Sequence, residues 1–341
     1  MAMNSIDLVL RPYRGPQDHP AMNRVANAVR AANGDPNLGS VADMDRYYGR
    51  FDQVELPRDC AVVEVDGMVV AYGRASWDEL SNGDGQISCA LNVDPALAGR
   101  GIVERLIDHA IRRAATLIET RGRERTTHFW IFATDRDVDQ IKALEAAGFR
   151  RIRSAAQLIR PTLDDIPDVP MPPGFQIRPT EATDVAMQRR VYDADARAFA
   201  DSWGHEAPSD AEFERWLTGP TFDPPLWRVA FHDDEIAGQI LNYMGEPEPD
   251  GRRIGWTEAI SVQPEFRRRG LARALLAASL VAVRDAGATQ AGLGVDMQNP
   301  NEAQALYESM GYRVVSLVYG YELGPYPPGS VGPKPAGEVV A

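Results

Sequence analysis

The stretch Thr257–Val283, TEAISVQPEFRRRGLARALLAASLVAV, decides the fold of the second half of the chain. It predicts a strand ending in a Val-x-Pro sequence, then a short basic loop and a long apolar helix. Gly270 is expected to take a left-handed conformation, and the small Ala272 lets a ligand come close to the backbone. The amides from Arg268 to Arg273 then point into one concavity at a helix N-terminus, which suits a pyrophosphate. A solvated basic turn before a surface helix is the alternative for this loop taken alone.

The same order of elements occurs twice along the chain. Cys60–Ser76 and Leu226–Met244 each contain two alternating apolar runs around a polar turn, which predicts a β-hairpin. Ile87–Ala114 parallels Thr257–Val283, because each predicts a strand, a glycine-bearing loop and a long helix. Ile141–Ile152 parallels Ala303–Val315, since each predicts a short helix stopped by glycine and followed by a strand. A period of about 165 residues is too long for a solenoid repeat and indicates a duplicated α/β domain.

Length and local composition divide the chain into domains. At 341 residues it is too long for one ordinary single-core domain. We expect an N-terminal domain over 1–159, a Pro- and Asp-rich linker over 160–174, and a C-terminal domain over 175–323. The Pro- and Gly-rich end, 324–341, has few apolar residues to bury and is expected to form a flexible tail.

Composition excludes several classes of protein. With 44% apolar and 25% charged residues the chain is typical of a globular protein, and it lacks the ~20 uninterrupted apolar residues of a membrane helix. No secretory signal is recognisable at the start, so a cytoplasmic location is expected. The net charge of -13 argues against a nucleic-acid-binding surface and favours cationic small partners. Cys60 and Cys89 are too few for a disulfide framework, and no metal site is expected. Nothing in the sequence specifies an oligomeric state.

The order of these features resembles the acetyl-CoA signature of the GCN5-related N-acetyltransferase (GNAT) superfamily, whose loop follows Q/R-x-x-G-x-G/A. Arg267, Gly270 and Ala272 match that loop. Ala291–Val315, AGLGVDMQNPNEAQALYESMGYRVV, follows with the family's next strand, Asn-Pro cap, Ala-x-x-Leu-Tyr helix and Gly-aromatic stop. The resemblance covers 175–323 and, more loosely, the N-terminal half. A degenerate first half is similar to the mycothiol synthase type within that superfamily.

The resemblance implies two tandem domains, each with a central, mostly antiparallel sheet that contains a splayed strand pair and is flanked by helices. It implies acetyl-CoA as cosubstrate and no metal. The pantetheine arm would lie in the notch between the splayed strands, where a backbone amide binds the thioester carbonyl. The residues that it assigns to the cofactor are Ile260, Ser261, Val262, Arg267, Arg268, Arg269, Gly270, Leu271, Ala272, Arg273, Asn299 and Ala303. Asn299 is equally well explained as the N-cap of the helix that starts at Pro300.

Acyl transfer to an amine needs a base for the ammonium proton and an acid for the departing thiolate. Tyr307 lies where the family commonly places the acid, although it is also explained as a core aromatic. The adjacent Leu306 is expected to face inward and leave Tyr307 for chemistry.

Glu258 is the candidate base. Alternation along the strand places it on the face of Ile260 and Val262, where an acidic residue is costly to bury without a reason. An exposed edge, or a salt bridge to Arg252 or Arg253, is the alternative explanation.

The acceptor amine is expected to bind beneath the helices and loop of Ala198–Leu217 and beside the second hairpin. Aromatic and acidic side chains suit a cationic amine, although core packing explains tryptophans more often. The candidates are Trp203, His205, Glu206 and Tyr243, with Trp216 as a further aromatic. His205 is an alternative base.

The N-terminal copy lacks four residues that the second copy has. Aligned on the loop and stop glycines, it carries Ala98 for Arg267, Val103 for Ala272, Cys89 for Glu258 and Leu144 for Tyr307. The N-terminal copy keeps Gly99, Arg100 and Gly101, so weak or unproductive binding of CoA to it is an alternative that the sequence leaves open. We therefore expect an N-acetyltransferase whose C-terminal domain transfers acetyl from acetyl-CoA to a primary amine of a small molecule or peptide by direct attack. The alternative is a non-catalytic, acyl-CoA-binding regulatory protein.

Overall fold

The computed structural model describes residues 8–34, 38–51, 55–80, 82–200, 209–247, 251–298 and 303–335. The chain forms two compact units. Unit 1 comprises Met1–Ser154 together with Val318–Ala341, and unit 2 comprises Ala155–Leu317.

Unit 1 is an α/β unit. Its strands are β1 (Leu8–Pro12), β2 (Cys60–Val65), β3 (Met68–Glu79), β4 (Gly85–Val93) and β5 (Thr127–Thr134), and its helices are α1 (His19–Asn33), α2 (Val41–Tyr48), α3 (Leu56–Asp59), α4 (Ile102–Thr120) and α5 (Val138–Ala146). The next strand, β6 (Arg150–Arg160), passes from unit 1 into unit 2.

Unit 2 repeats the arrangement. Its strands are β7 (Phe175–Arg178), β8 (Arg228–His232), β9 (Glu235–Met244), β10 (Ile254–Val262) and β11 (Gln290–Asp296), and its helices are α6 (Val185–Ala198), α7 (Asp210–Leu217), α8 (Leu271–Asp285) and α9 (Ala303–Ser309). The last strand, β12 (Arg313–Tyr326), begins in unit 2 and ends in unit 1. Both predicted hairpins are confirmed, as β2–β3 and β8–β9.

Each unit has a sheet in which one neighbouring pair of strands is parallel and the others are antiparallel. The order is β1-β2-β3-β4-β5-β12 in unit 1 and β7-β8-β9-β10-β11-β6 in unit 2. The parallel ladder of β10 and β11 ends at Thr257 and Leu293, although both strands continue. In unit 1 the ladder of β4 and β5 ends likewise at Cys89 and Ile131. The predicted splayed strand pair is therefore present in both units.

The last strand of each sheet comes from the other half of the chain. Residues 155–160 of β6 pair with β11, and residues 318–326 of β12 pair with β5. Ala156 and Leu158 belong to the core of unit 2, whereas Tyr321 belongs to the core of unit 1. The compact units therefore differ from the expected domains 1–159 and 175–323, because backbone pairing and apolar burial assign the ends of both strands across the expected boundary.

The expected linker and tail also pack against the units. Leu163 is 3% exposed, and Ile166, Val169 and Met171 are half-buried against the core of unit 2. Beyond β12, residues 327–335 form no helix or strand, yet Gly332 is buried with its backbone against α4. Residues 336–341 of the expected tail lie outside the described residues. The apolar side chains of 160–174 pack against the core of unit 2, so this segment is not a free linker.

Helices cover both faces of each sheet, and the sheet separates two cores. In unit 2, α8 packs on the core that contains Ile260 and Val262, while α6 packs on the core that contains Ala259. None of the helices in the described ranges combines the length and apolar character that crossing a bilayer requires.

Candidate active site

The loop before α8 takes the predicted shape. Arg268 and Gly270 have left-handed backbones, with φ of 62° and 82°, and Gly270 is the N-cap of α8. No side-chain hydrogen bond caps this helix end, so its first N–H groups stay available to a ligand. A Cβ at Gly270 would lie 3.8 Å from Cγ of Pro172, and would stand on the otherwise open side of the loop.

A backbone notch adjoins this loop. After Thr257 and Leu293 the two parallel strands diverge, while β11 stays paired on its other edge with β6 from Ala291 to Asp296. On its other side β10 stays paired with β9 as far as Val262. One edge of the last residues of β10, which include Ile260, Ser261 and Val262, therefore faces the gap between the strands.

The arginines of the loop divide into two kinds. Arg267 donates from Nε to the carbonyl of Val262 at 3.1 Å and from Nη2 to the carbonyl of Ala198 at 3.2 Å. Its guanidinium thus ties the end of β10 to the end of α6. Arg268, Arg269 and Arg273 are exposed, and the guanidinium of Arg269 lies 5.5 Å from the ring centre of Phe266. In the first turn of α8, Leu271 is buried and Ala272 is half-buried. Ala303, the first residue of α9, packs against the core. Asn299 lies outside the described residues.

Glu258 is the extra residue of a β-bulge. The register of β9 against β10 shifts between Thr257 and Ala259. Thr257 lies on the α8 side, where its hydroxyl and that of Ser279 both donate to Oδ1 of Asn242, at 2.9 and 3.0 Å. Ala259 lies on the opposite side, against the core beneath α6.

The predicted face of Glu258 is wrong. Its Oε1 accepts a 2.9 Å hydrogen bond from Oγ1 of Thr221, which follows α7, so Glu258 lies on the α6–α7 side. Ile260 and Val262 lie on the α8 side. The bulge is the physical reason, because an inserted residue breaks the alternation from which the face was predicted. Arg253 does not pair with Glu258 and donates instead to the carbonyl of Gly245.

The surroundings of Glu258 suit a base. Desolvation raises the pKa of its carboxyl, the charge of Asp195 on α6 raises it further, and the Thr221 hydrogen bond opposes both. Tyr243 is close enough that the Glu258 charge adds to the burial that raises the pKa of its phenol. Thr221 was missed by sequence reasoning, because a threonine in a Pro-rich loop carries no signal of its own.

Tyr307 is the most buried described residue of α9. It is 7% exposed and meets the ring of Tyr312 edge-on at 6.1 Å. The expectation that Leu306 faces inward and leaves Tyr307 outside the core is wrong, because both contact the core and Tyr307 is the deeper. Burial raises the pKa of its phenol to about 12, and none of the described residues forms a hydrogen bond with its hydroxyl. The phenol is therefore protonated at neutral pH and has its hydroxyl available for another partner.

An aromatic cluster lies on the acceptor side of unit 2. Trp216 stacks on Trp227 at 5.1 Å and 25°, and the indole N–H of Trp227 is buried without a partner among the described residues. Tyr192, Phe213 and Phe222 complete the cluster. The predicted acceptor residues Trp203, His205 and Glu206 lie outside the described residues.

The corresponding positions of unit 1 carry no counterpart of Glu258 or Tyr307 among the described residues. β4 pairs with β3 without a bulge, so Cys89 occupies the last position of the parallel ladder, and no residue matches the inserted Glu258. Burial raises the pKa of the Cys89 thiol to about 12. Leu144, which replaces Tyr307, is fully buried.

The notch of unit 1 is nevertheless open. A cleft of about 250 Å³ lies at the ends of β4 and β5, and one of about 90 Å³ lies against the loop that carries Gly99 and Gly101. Val103 lines both clefts, so its branched side chain stands where unit 2 has Ala272. Ala98 lines the larger cleft. Among the residues that the structure describes, no group of three or more His, Cys, Asp or Glu could hold a metal ion.

Comparison with known proteins gives a consistent result. Residues 189–312 match the acetyltransferase (GNAT) family. A mycothiol acetyltransferase of Salinispora tropica is 30% identical over 265 residues, which are 76% of this chain and 79% of the relative. A mycothiol acetyltransferase of Geodermatophilus obscurus is 27% identical over 86% of this chain and 90% of the relative.

Solved structures share the fold over nearly the whole chain. A GCN5-related N-acetyltransferase from Sphaerobacter thermophilus has a TM-score of 0.73 and 24% identity, covering 96% of each chain. A tandem GNAT protein from the clavulanic acid biosynthesis pathway has a TM-score of 0.65 and 19% identity, covering 94% of this chain and 99% of its own. The arrangement of two successive units of this kind is therefore shared with a tandem protein.

Proposed function

The chain belongs to the acetyltransferase (GNAT) family, and on that premise we propose that unit 2 transfers the acetyl group of acetyl-CoA to a primary amine of a small molecule or peptide. The chain is an N-acetyltransferase. What the proposal adds is the donor, the unit that carries the chemistry and the residues that move protons.

The position of Glu258 supports this function most directly. The parallel ladder ends at Thr257, and the next residue is the bulged Glu258. A carboxylate with a raised pKa thus stands at the point where the strands begin to diverge. A base is needed at this place, because the thioester lies at the inner end of an arm that enters between the strands.

The chain's own groups fit the donor at its two ends. The uncapped start of α8 and the left-handed Gly270 present N–H groups to the pyrophosphate, and Arg268, Arg269 and Arg273 supply positive charge beside it. The open edge of β10 offers backbone groups to the pantetheine and an N–H to the thioester carbonyl, where negative charge develops during attack.

Two side chains carry out the proton transfers. Glu258 takes a proton from the acceptor ammonium, directly or through a water, and thereby frees the lone pair that attacks the carbonyl carbon. Tyr307 donates its phenolic proton to the departing sulfur, because burial keeps the phenol protonated at neutral pH. The tetrahedral intermediate collapses with cleavage of the C–S bond, and the second proton of the attacking nitrogen passes to the Tyr307 phenolate directly or through a water, which gives the neutral amide, free CoA and the restored phenol.

The acceptor side favours a cationic amine. The charge of Asp195 raises the pKa of the Glu258 carboxyl, and a nearby cation would stabilise both negative charges. Tyr192 and Trp216 place aromatic rings on the same side of the sheet. The acceptor that mycothiol acetyltransferases use therefore belongs in the first panel of amines.

The test is release of free CoA from acetyl-CoA in the presence of a panel of primary amines, with the acetylated product identified by mass. We expect at least one amine to be turned over, and Glu258→Gln to lower kcat by ~10²-fold or more. Glu265→Gln, at an exposed acid of the following turn, is the matched control and should leave kcat unchanged. Tight acetyl-CoA binding without turnover of any amine would instead support the regulatory alternative.

A further inference from the structure

Arg74 in unit 1 is a buried cation for which the described part of the chain supplies no counter-ion. It lies on β3, is 6% exposed, and faces the side of the sheet that α1 and α2 cover. Its Nη2 donates to the hydroxyl of Tyr47 at 2.9 Å, while its Nε–H is buried without an acceptor. Among the residues that the structure describes, no carboxylate forms an ion pair with it.

The other buried arginines of the described chain are paired. Arg11 binds Asp18 at 2.8 Å and Glu64 at 2.7 Å, and Arg160 binds Asp165 at 2.5 Å. The chain has 49 acidic residues, so carboxylates are not scarce. An unpaired buried charge loses its hydration without compensation, which makes it unfavourable unless something supplies the missing anion.

Aromatic rings shape the surroundings of this guanidinium. Its central carbon lies 3.7 Å from the ring centre of Phe51, 5.4 Å from that of Tyr47 and 6.0 Å from that of Tyr48. Tyr48 is held in turn by Tyr13 at 5.5 Å and by His19 at 5.1 Å. The cation is thus fixed in place, with a ring over its face and its Nε edge unused.

We propose that Arg74 anchors a binding site for a small-molecule carboxylate. A guanidinium presents Nε–H and Nη–H side by side, which matches the two oxygens of a carboxylate, and Phe51 covers the face and leaves the edge for the ligand. The hydroxyl of Tyr47 accepts from Arg74 and so keeps its own proton to donate to the anion. A carboxylate suits this place better than phosphate, because one guanidinium neutralises one negative charge and the rings favour an organic body.

Access is from the side of Tyr47. This residue is 43% exposed, and the exposed Arg50 lies over its ring at 5.6 Å, beyond Arg74. The outer cation attracts an anion toward the ring, and the inner cation holds it. This site is independent of the proposed transferase centre, since every residue in it belongs to unit 1.

The test compares benzoate with benzamide, which has nearly the same shape and no charge, by thermal unfolding of the full chain. We expect saturating benzoate to raise Tm by at least about 2 °C and benzamide to leave it unchanged. The shift should vanish in Arg74→Leu and persist in Arg46→Leu, which removes an exposed cation from α2. Absence of a shift with both benzoate and propionate in the native chain, an equal shift in Arg74→Leu, or a larger shift with inorganic phosphate overturns the proposal.

A second measurement needs no ligand. Removing an unpaired buried charge should leave Tm unchanged or raise it, so we expect Arg74→Met to be at least as stable as the native chain. Arg11→Met should lower Tm, because it leaves the buried Asp18 without its partner. If Arg74→Met fails to fold, the cation is a structural part of the core and the proposal fails. Tyr47→Phe, at an exposed position, should keep the fold and weaken the benzoate shift.

Discussion

Thr221 donates a 2.9 Å hydrogen bond from Oγ1 to Oε1 of Glu258. The bond joins the loop after α7 to the bulge of β10, and it stabilises the ionised carboxylate against the desolvation that raises its pKa. The balance of these two effects determines how much of Glu258 is ready to accept a proton at a given pH.

Thr221→Val should move the acidic limb of the rate profile to higher pH. Removing the hydrogen bond removes an interaction that lowers the pKa of Glu258, so the pKa rises and the base ionises later as pH increases. The measurement is kcat/KM for the amine against pH. Thr218→Val is the matched control, since within the described ranges the Thr218 hydroxyl bonds only to backbone carbonyls of α7. An identical profile in Thr221→Val would separate Glu258 from the proton transfer.

Tyr307→Phe should lower kcat by ~10²-fold or more and change the affinity for acetyl-CoA little. The substitution removes a hydroxyl that the described residues do not bond, so Tm should stay close to the native value. Tyr312→Phe, at the ring that faces Tyr307, is the control and should keep full turnover. Native turnover in Tyr307→Phe, with chemistry shown to limit the rate, would make Tyr307 a core aromatic only.

Gly270→Val should abolish the thermal stabilisation by acetyl-CoA. A ligand at 100 times its Kd stabilises the folded state by ~2.7 kcal/mol, and the branched side chain stands where the pyrophosphate must meet the amides. Gly101→Val in unit 1 introduces the same left-handed strain, since φ is 75° there and 82° at Gly270. The control should keep the shift. A full shift in Gly270→Val would place acetyl-CoA elsewhere.

Gly101→Val should also leave turnover within about threefold of native, apart from any loss of stability, because the acid and base that we propose, Tyr307 and Glu258, both belong to unit 2. Cys89 is held as a neutral thiol and Leu144 has no proton to give. Initial rates at saturating acetyl-CoA and amine measure this. A fall of tenfold or more, with Tm unchanged, would mean that the open clefts of unit 1 take part in the reaction.

Local sequence predicted the parts of the site that depend on local chemistry. The left-handed Gly270, the helix that starts after it and the glycine stop at Gly311 follow from backbone preferences that a few residues fix. The divergence of β10 from β11 was predicted from the family resemblance, and the register of the two strands confirms it.

The parts that were not predicted depend on other elements of the fold. A bulge at Glu258 is a mismatch between β9 and β10, and neither strand shows it alone. Likewise Arg267 matched the signature by position, but its guanidinium binds two carbonyls that the fold brings to it. Burial of Tyr307 follows from the depth of α9 against the core, which helical periodicity over seven residues does not fix.

Because each repeat supplies the final strand of the other's sheet, neither repeat can be expressed as a complete domain by itself. A gene cut between them would yield one product that lacks residues 318–326 beside β5 and another that lacks residues 155–160 beside β11. Each product would expose a bare strand edge, which invites aggregation, and each would carry the strand that the other needs. Co-expression of the two fragments should therefore restore a folded enzyme that neither forms alone. Later recombination could not replace one repeat without also replacing the last strand of its neighbour.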